Sequence, residues 1–160
     1  MIQVGDRLPA ANLKRLTADG IKDMPVAALT RGKKVVLFAV PGAFTPTCSE
    51  QHLPGFLQQA AAFKAKGIDT IACVAVNDPF VLKAWDKASA VDGRIELLSD
   101  GNAEFTKAIG LDFDASAVGL GTRSKRYAMV VDDGVVRTLL IEDVPSKAQK
   151  SSAEALLATL

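Results

Sequence analysis

Apolar residues fall in two rhythms along this chain. An unbroken apolar run rich in β-branched residues at 35–40 (Val-Val-Leu-Phe-Ala-Val) and a largely apolar stretch at 68–76 predict buried strands, because they carry no regular polar alternation. Between them, Phe56, Leu57, Ala60 and Phe63 recur at helical spacing within 49–66, and Gly67 suits a C-terminal cap. Leu53-Pro54-Gly55 predicts a kink or break there, since proline removes a ladder bond and clashes with the preceding turn. Asn77-Asp78-Pro79 opens a helix over 80–90, with Val81, Trp85 and Ala88 on its apolar face. Asp92-Gly93 turns into a strand at 94–98, and a short helix at 103–109 ends at Gly110. Residues 111–122 show no period and read as a loop. Strands at 127–131 and 135–141 form a hairpin across Asp132-Asp133-Gly134. Ser151-x-x-Glu154 is a capping box that starts a C-terminal helix. At the other end, 4–16 is a mixed stretch leading to a turn at Asp19-Gly20, read as a hairpin or irregular strand, with a short helix at 25–29.

Early βαβ crossovers imply a parallel core, and the late hairpin adds antiparallel strands. The expected architecture is α/β, a thioredoxin-like fold with a mixed central β-sheet and helices on both faces. At 160 residues the chain is expected to form one domain, 1–160.

Composition narrows the function classes. The chain is 49% hydrophobic and 23% charged with net charge +1, so no basic surplus points to nucleic acid. No apolar run approaches a membrane span, and the start carries no secretory pattern. Two cysteines make no disulfide framework, so a reducing compartment, most simply the cytoplasm, is the expected location. Two cysteines and one histidine make no metal site, and no phosphate-binding glycine loop follows a strand. Trp85 and the phenylalanines read as core.

The chemistry concentrates in residues 40–50, where a buried strand turns into a helix. Thr45 is placed to cap that helix and Pro46 suits its first position, which puts Cys48 in the first turn. Unpaired N–H groups and the helix dipole there favour a thiolate, hence a nucleophile. Three residues before Cys48 stands Thr45 and not a second cysteine, so no disulfide can close within the loop. His52 lies four residues on and can share a helix face with Cys48, which leaves a cysteine–histidine hydrolase pair to be weighed against a packing role. Cys73 sits mid-strand, where a buried structural thiol is the expected reading. Glu50 is expected to support the helix start electrostatically.

Pro41-x-x-x-Thr45-x-x-Cys48 after a buried strand resembles the active-site motif of the peroxiredoxins. The longer string Val40-Pro41-Gly42-Ala43-Phe44-Thr45-Pro46 with Cys48-Ser49 and His52-Leu53-Pro54-Gly55-Phe56 is similar to the type-5 and plant type-II subfamily. Val76-Asn77-Asp78-Pro79-Phe80-Val81, Ala84-Trp85 and Arg123-Ser124-Lys125-Arg126-Tyr127-Ala128-Met129 extend the match over most of the chain. The resemblance implies a thiol peroxidase acting on hydrogen peroxide and alkyl hydroperoxides, with no cofactor. It implies that Cys48 becomes a sulfenic acid, that Thr45 hydrogen-bonds thiolate and peroxide, that Pro41 shields the thiolate, and that Arg126 stabilises it. Gly42, Phe44, His52 and Arg123 are expected around the pocket. The type-5 resolving cysteine near the C-terminus is missing, since nothing after Cys73 is a cysteine. A one-cysteine cycle with an external thiol, glutathione with glutaredoxin or thioredoxin, is therefore expected. Resolution through Cys73 and a redox-sensing binding protein are the alternatives. The resemblance also implies a homodimer.

Overall fold

A computed structural model describes residues 1–160. Nine strands and six helices follow one another. The strands are β1 (Asn12–Thr17), β2 (Gly20–Pro25), β3 (Lys34–Val40), β4 (Thr70–Ala75), β5 (Glu96–Ser99), β6 (Asp112–Asp114), β7 (Thr122–Ser124), β8 (Tyr127–Asp132) and β9 (Val135–Ile141). The helices are α1 (Val26–Thr30), α2 (Leu53–Gln58), α3 (Ala60–Ala65), α4 (Pro79–Ala88), α5 (Glu104–Ala108) and α6 (Ala153–Leu157). Seven strands form one sheet in the order β2-β1-β5-β4-β3-β8-β9. β3, β4 and β5 run parallel, and the hairpins at either edge are antiparallel. The mixed sheet expected from the sequence is therefore present.

Its central strands explain the unbroken apolar runs. Val36, Phe38 and Val40 of β3 point to one face, together with Ile71, Cys73 and Ala75 of β4, and are covered by Phe56, Phe63, Leu82, Trp85 and Leu156 from α2, α3, α4 and α6. Val35, Leu37 and Ala39 point to the other, against Leu29 of α1 and Phe105 of α5. Both sides of each strand are buried, as period-2 geometry demands of a sheet with helices on two faces.

Three details differ from the sequence expectations. The stretch 111–122 is not plain loop: Asp112–Asp114 pairs with Thr122–Ser124 as a small second sheet, around a 3₁₀ turn at Ser116–Val118. Three-residue strands are too short for an alternating pattern to register. Leu82 and Trp85 form the buried face of α4, while Val81 is half-buried and Ala88 exposed. The C-terminal helix is capped by Ser152, whose hydroxyl accepts from Ala155 N at 3.1 Å, and not by Ser151. Asp78 does cap α4 as expected, accepting from Val81 N at 2.9 Å.

The sheet register also brings distant residues together. Ala39 pairs with Tyr127 across β3 and β8. One residue on from Ala39 and one back from Tyr127, the start of the Cys48 loop and Arg126 lie side by side, although they are far apart in sequence.

Candidate active site

The chain leaves β3 at Val40 and turns sharply. Phe44 adopts φ +65°, a left-handed conformation that costs a non-glycine residue roughly 1 kcal/mol. The turn is held by Ala43 N donating to Asn77 Oδ1 at 2.9 Å. Gly42 packs closely: a Cβ there would press on Thr45 Cγ2 at 3.2 Å and touch Arg123 Nη1 at 3.5 Å. Thr45 O accepts from Ser49 N at 2.9 Å, so the helix begins at this point. The Thr45 hydroxyl does not cap it. It donates to Gly42 O at 2.7 Å, which leaves its lone pairs free to accept.

Cys48 begins a π turn, Cys48–His52, that runs into α2. Leu53 N donates to Cys48 O, a five-residue step. This register accommodates Pro54, which has no N–H to give and sits in the first turn of α2. The break expected at 53–55 is thus displaced: the irregularity lies just before Pro54, and a second interruption falls at Gln59. Trp85 Nε1 donates to Ser49 Oγ at 3.0 Å and ties the turn to α4.

Cys48 is fully buried, and so, at 2% exposure, is Arg126. The guanidinium donates from Nη2 to Cys48 Sγ at 3.0 Å, from Nη1 to His52 Nδ1 at 3.0 Å, and from Nε to Pro145 O at 3.0 Å. None of the three ion pairs in the molecule includes Arg126. A buried cation without a carboxylate is costly unless another anion pairs it. The sulfur 3.0 Å away is the group in contact that can become one.

His52 faces the arginine and not the cysteine. Arginine has only donors, so Nδ1 must accept from it. Nε2 then carries the proton and donates to Ser151 O at 2.9 Å. The ring lies edge-on to Phe38 and Phe56 at centroid distances of 5.1 and 5.5 Å. Burial, then the charge of Arg126, lower its pKa from 6.5 to about 4, so it is neutral at physiological pH. A neutral imidazole whose lone pair is taken by Arg126 cannot serve as the base of a cysteine hydrolase.

A cavity of about 360 Å³ opens beside these groups, lined by Pro41, Thr45, Phe113, Ala115, Leu120 and Arg126 and closed on one side by Pro145 and Ser146. Pro41, Thr45 and Arg126 therefore line one cavity. Arg123 does not reach the sulfur. It donates to Leu120 O at 2.8 Å and Val76 O at 2.9 Å, clamping the loop wall to the end of β4. Phe44 turns away into a separate apolar recess with Leu57 and Trp85. Glu50 is exposed. Cys73 lies fully buried in β4 opposite Phe38, and burial, with Cys48 nearby, pushes its thiol well above the ordinary value. No group of His, Cys, Asp and Glu is arranged to hold a metal, and no helix is long and apolar enough to cross a membrane.

Sequence reasoning missed the strap that closes the site. Thr47 Oγ1 donates to Ser146 O at 2.9 Å, and Pro145 and Ser151 supply carbonyls to Arg126 and His52. Carbonyl acceptors leave no residue-type signature. Ser151 carried a signal, the capping box, but the buried hydroxyl serves a different partner, Glu142.

The Redoxin family profile matches residues 3–157. The rice chloroplastic peroxiredoxin-2E-2 is 52% identical over 98% of this chain and 72% of its own length. The Arabidopsis chloroplastic peroxiredoxin-2E is 50% identical over 99% and 69%. The structure of reduced Prx3 from Vibrio vulnificus in complex with H2O2 superposes with a TM-score of 0.94 at 54% identity, covering 99% of both chains. The two chloroplastic relatives overturn the expectation of a cytoplasmic protein. Two free thiols fit any reducing compartment and so carry no address. The chain belongs to the Redoxin family and is a peroxiredoxin, a thiol peroxidase that works by cysteine chemistry with external thiol reductants and no prosthetic cofactor.

Proposed function

We propose that Cys48 is the peroxidatic nucleophile, reducing hydrogen peroxide and alkyl hydroperoxides. The observation that carries this reading is the buried Arg126, with no carboxylate partner and Nη2 at 3.0 Å from Cys48 Sγ. The Cys48 thiolate attacks one peroxide oxygen. An S–O bond forms as the O–O bond breaks, sulfur is oxidised to the sulfenic acid, and the leaving oxygen takes a proton to become water or an alcohol. Arg126 balances the charge that passes from sulfur to the leaving oxygen. Charge-assisted donors aimed at developing charge lower a barrier by about 3–4 kcal/mol each. Thr45, its own hydrogen committed to Gly42, accepts the peroxide O–H. Pro41 covers the site from water, and the apolar cavity walls suit an alkyl group.

The cycle is completed by an external thiol, glutathione with glutaredoxin or thioredoxin. The thiol condenses with the sulfenic acid, releasing water, and a second thiol frees Cys48. Cys73, buried mid-strand with its thiol pushed up, is a structural residue in this scheme. Exposed Phe44 and Val118 beside the site, together with the family, support a homodimer. Turnover of the Cys73→Ser variant with each reductant tests the cycle: retained turnover is expected, and its abolition contradicts a one-cysteine cycle.

A further inference from the structure

Arg126 is held from behind by a second layer of hydrogen bonds that the peroxide chemistry does not itself use. Glu142 and Arg126 are linked through the main chain, Glu142 N donating to Arg126 O at 2.9 Å. From Glu142 the chain runs out as a strap, 143–150, and returns at Ser151. The strap is closed at its neck by the Glu142 carboxylate, whose Oε2 accepts from Ser151 N at 2.6 Å and Ser151 Oγ at 2.7 Å. Both residues are buried, Ser151 completely. An exposed Lys150–Asp143 ion pair spans the same neck.

Two of Arg126's three partners depend on this closure. Pro145, within the strap, supplies the carbonyl for Nε. Ser151, at its end, supplies the carbonyl that accepts from His52 Nε2, with Ser151 Oγ at 3.4 Å from the same nitrogen. That acceptor pair selects the tautomer. With the proton on Nε2, Nδ1 offers a lone pair to Arg126 Nη1. With the proton on Nδ1, an N–H would face an N–H, and the guanidinium would be driven from the sulfur.

Resting on the assignment of Cys48 and Arg126 above, we propose that Glu142 and Ser151 are positioning residues for the peroxidase reaction: by clamping the strap and fixing His52 in its Nε2–H form, they hold Arg126 against Cys48. None of the three touches peroxide. Their effect passes through the guanidinium.

His52 is the sole histidine, so its ring nitrogens can be read without ambiguity by ¹⁵N NMR. In the wild-type protein at neutral pH, a protonated Nε2 and a bare Nδ1 are expected. A protonated Nδ1 would overturn the proposal without any variant. Trp85, the sole tryptophan and bonded to Ser49, reports the reaction of the neighbouring Cys48 with hydrogen peroxide in stopped flow. Glu142→Ala should slow this second-order step about tenfold and mix the His52 tautomers, because a displaced catalytic group loses rate steeply. Glu142→Gln, which retains an acceptor oxygen, should recover most of both. Repeating Glu142→Ala in an Arg126→Lys background should cost less than about twofold, since residues acting through one group are not additive. Full additivity, or a wild-type rate in Glu142→Ala, would overturn the positioning role while leaving Cys48 as the nucleophile. A wild-type protein whose Cys48 scarcely reacts would instead sink the underlying assignment. If Glu142→Ala does not fold, the wild-type tautomer and the Glu142→Gln and Ser151→Ala rates decide the matter.

Discussion

Cys48 and Cys73 make an instructive pair. Both are free, fully buried thiols, and both pack into the same apolar cluster on one face of the sheet. Burial alone would make them alike. Cys73 is set in the middle of β4 opposite Phe38, and its thiol is pushed up by desolvation. Cys48 starts a π turn and has a guanidinium at 3.0 Å. Access does not separate the two thiols. What separates them is a cation, which is itself buried and needs an anion. On the proposed assignment, reactivity in this core is decided by partner and not by exposure.

The largest way to break that contrast is to remove the sulfur. Cys48→Ser should reduce peroxide consumption to background, whereas Cys73→Ser should leave the first step at its wild-type rate, both measured by stopped-flow Trp85 fluorescence. Arg126→Gln comes next. It removes the cation and should cost about 10²–10³ in the second-order rate constant, with Arg126→Lys intermediate because a point charge cannot make all three bonds.

Acid provides a third perturbation. The His52 pKa is lowered in the folded state from 6.5 to about 4, so the unfolded chain binds the extra proton between those values. The neutral ring's contribution is therefore complete above about pH 6.5 and is lost as pH falls toward 4, about 3 kcal/mol in all. Glu142, where burial raises the pKa but hydrogen bonds from Ser151, Lys150 and Gln149 together outweigh it and lower the pKa, adds a loss in the acid range as its carboxylate is protonated. Urea unfolding midpoints across this range should fall accordingly, and His52→Gln should flatten the slope between pH 6.5 and 4. The smallest effect expected is on Cys73 itself. Cys73→Ser buries an unpaired hydroxyl and should destabilise by about 1–3 kcal/mol in the same unfolding experiment, without slowing peroxide reduction.

The parts of the molecule differ in how legible they were. β3, β4 and the late hairpin could be read directly, because a doubly covered strand and an Asp-Gly turn leave strong residue-type patterns. The Pro41, Thr45 and Cys48 spacing was legible as a motif, and Arg126 only through the family resemblance which that motif carries. Glu142, Pro145 and Ser151 were not. Pro145 and Ser151 act through main-chain carbonyls, which any residue can offer, and the pairing of Glu142 with Ser151 exists only once the strap has closed. His52 was visible but its role was not, since an i, i+4 pair with Cys48 says nothing about a guanidinium arriving from β8. The helix break was anticipated from Pro54 but shifted, because a π turn can absorb the missing N–H upstream.

The most direct test of the account is intact and peptide-level mass after one equivalent of hydrogen peroxide, with a sulfenic-acid trap present and no reductant. A single trapped adduct on Cys48, with Cys73 still a free thiol, is the predicted result. An adduct on Cys73, or a loss of two mass units as a Cys48–Cys73 disulfide forms, would contradict the claim that only the cysteine facing Arg126 does the chemistry.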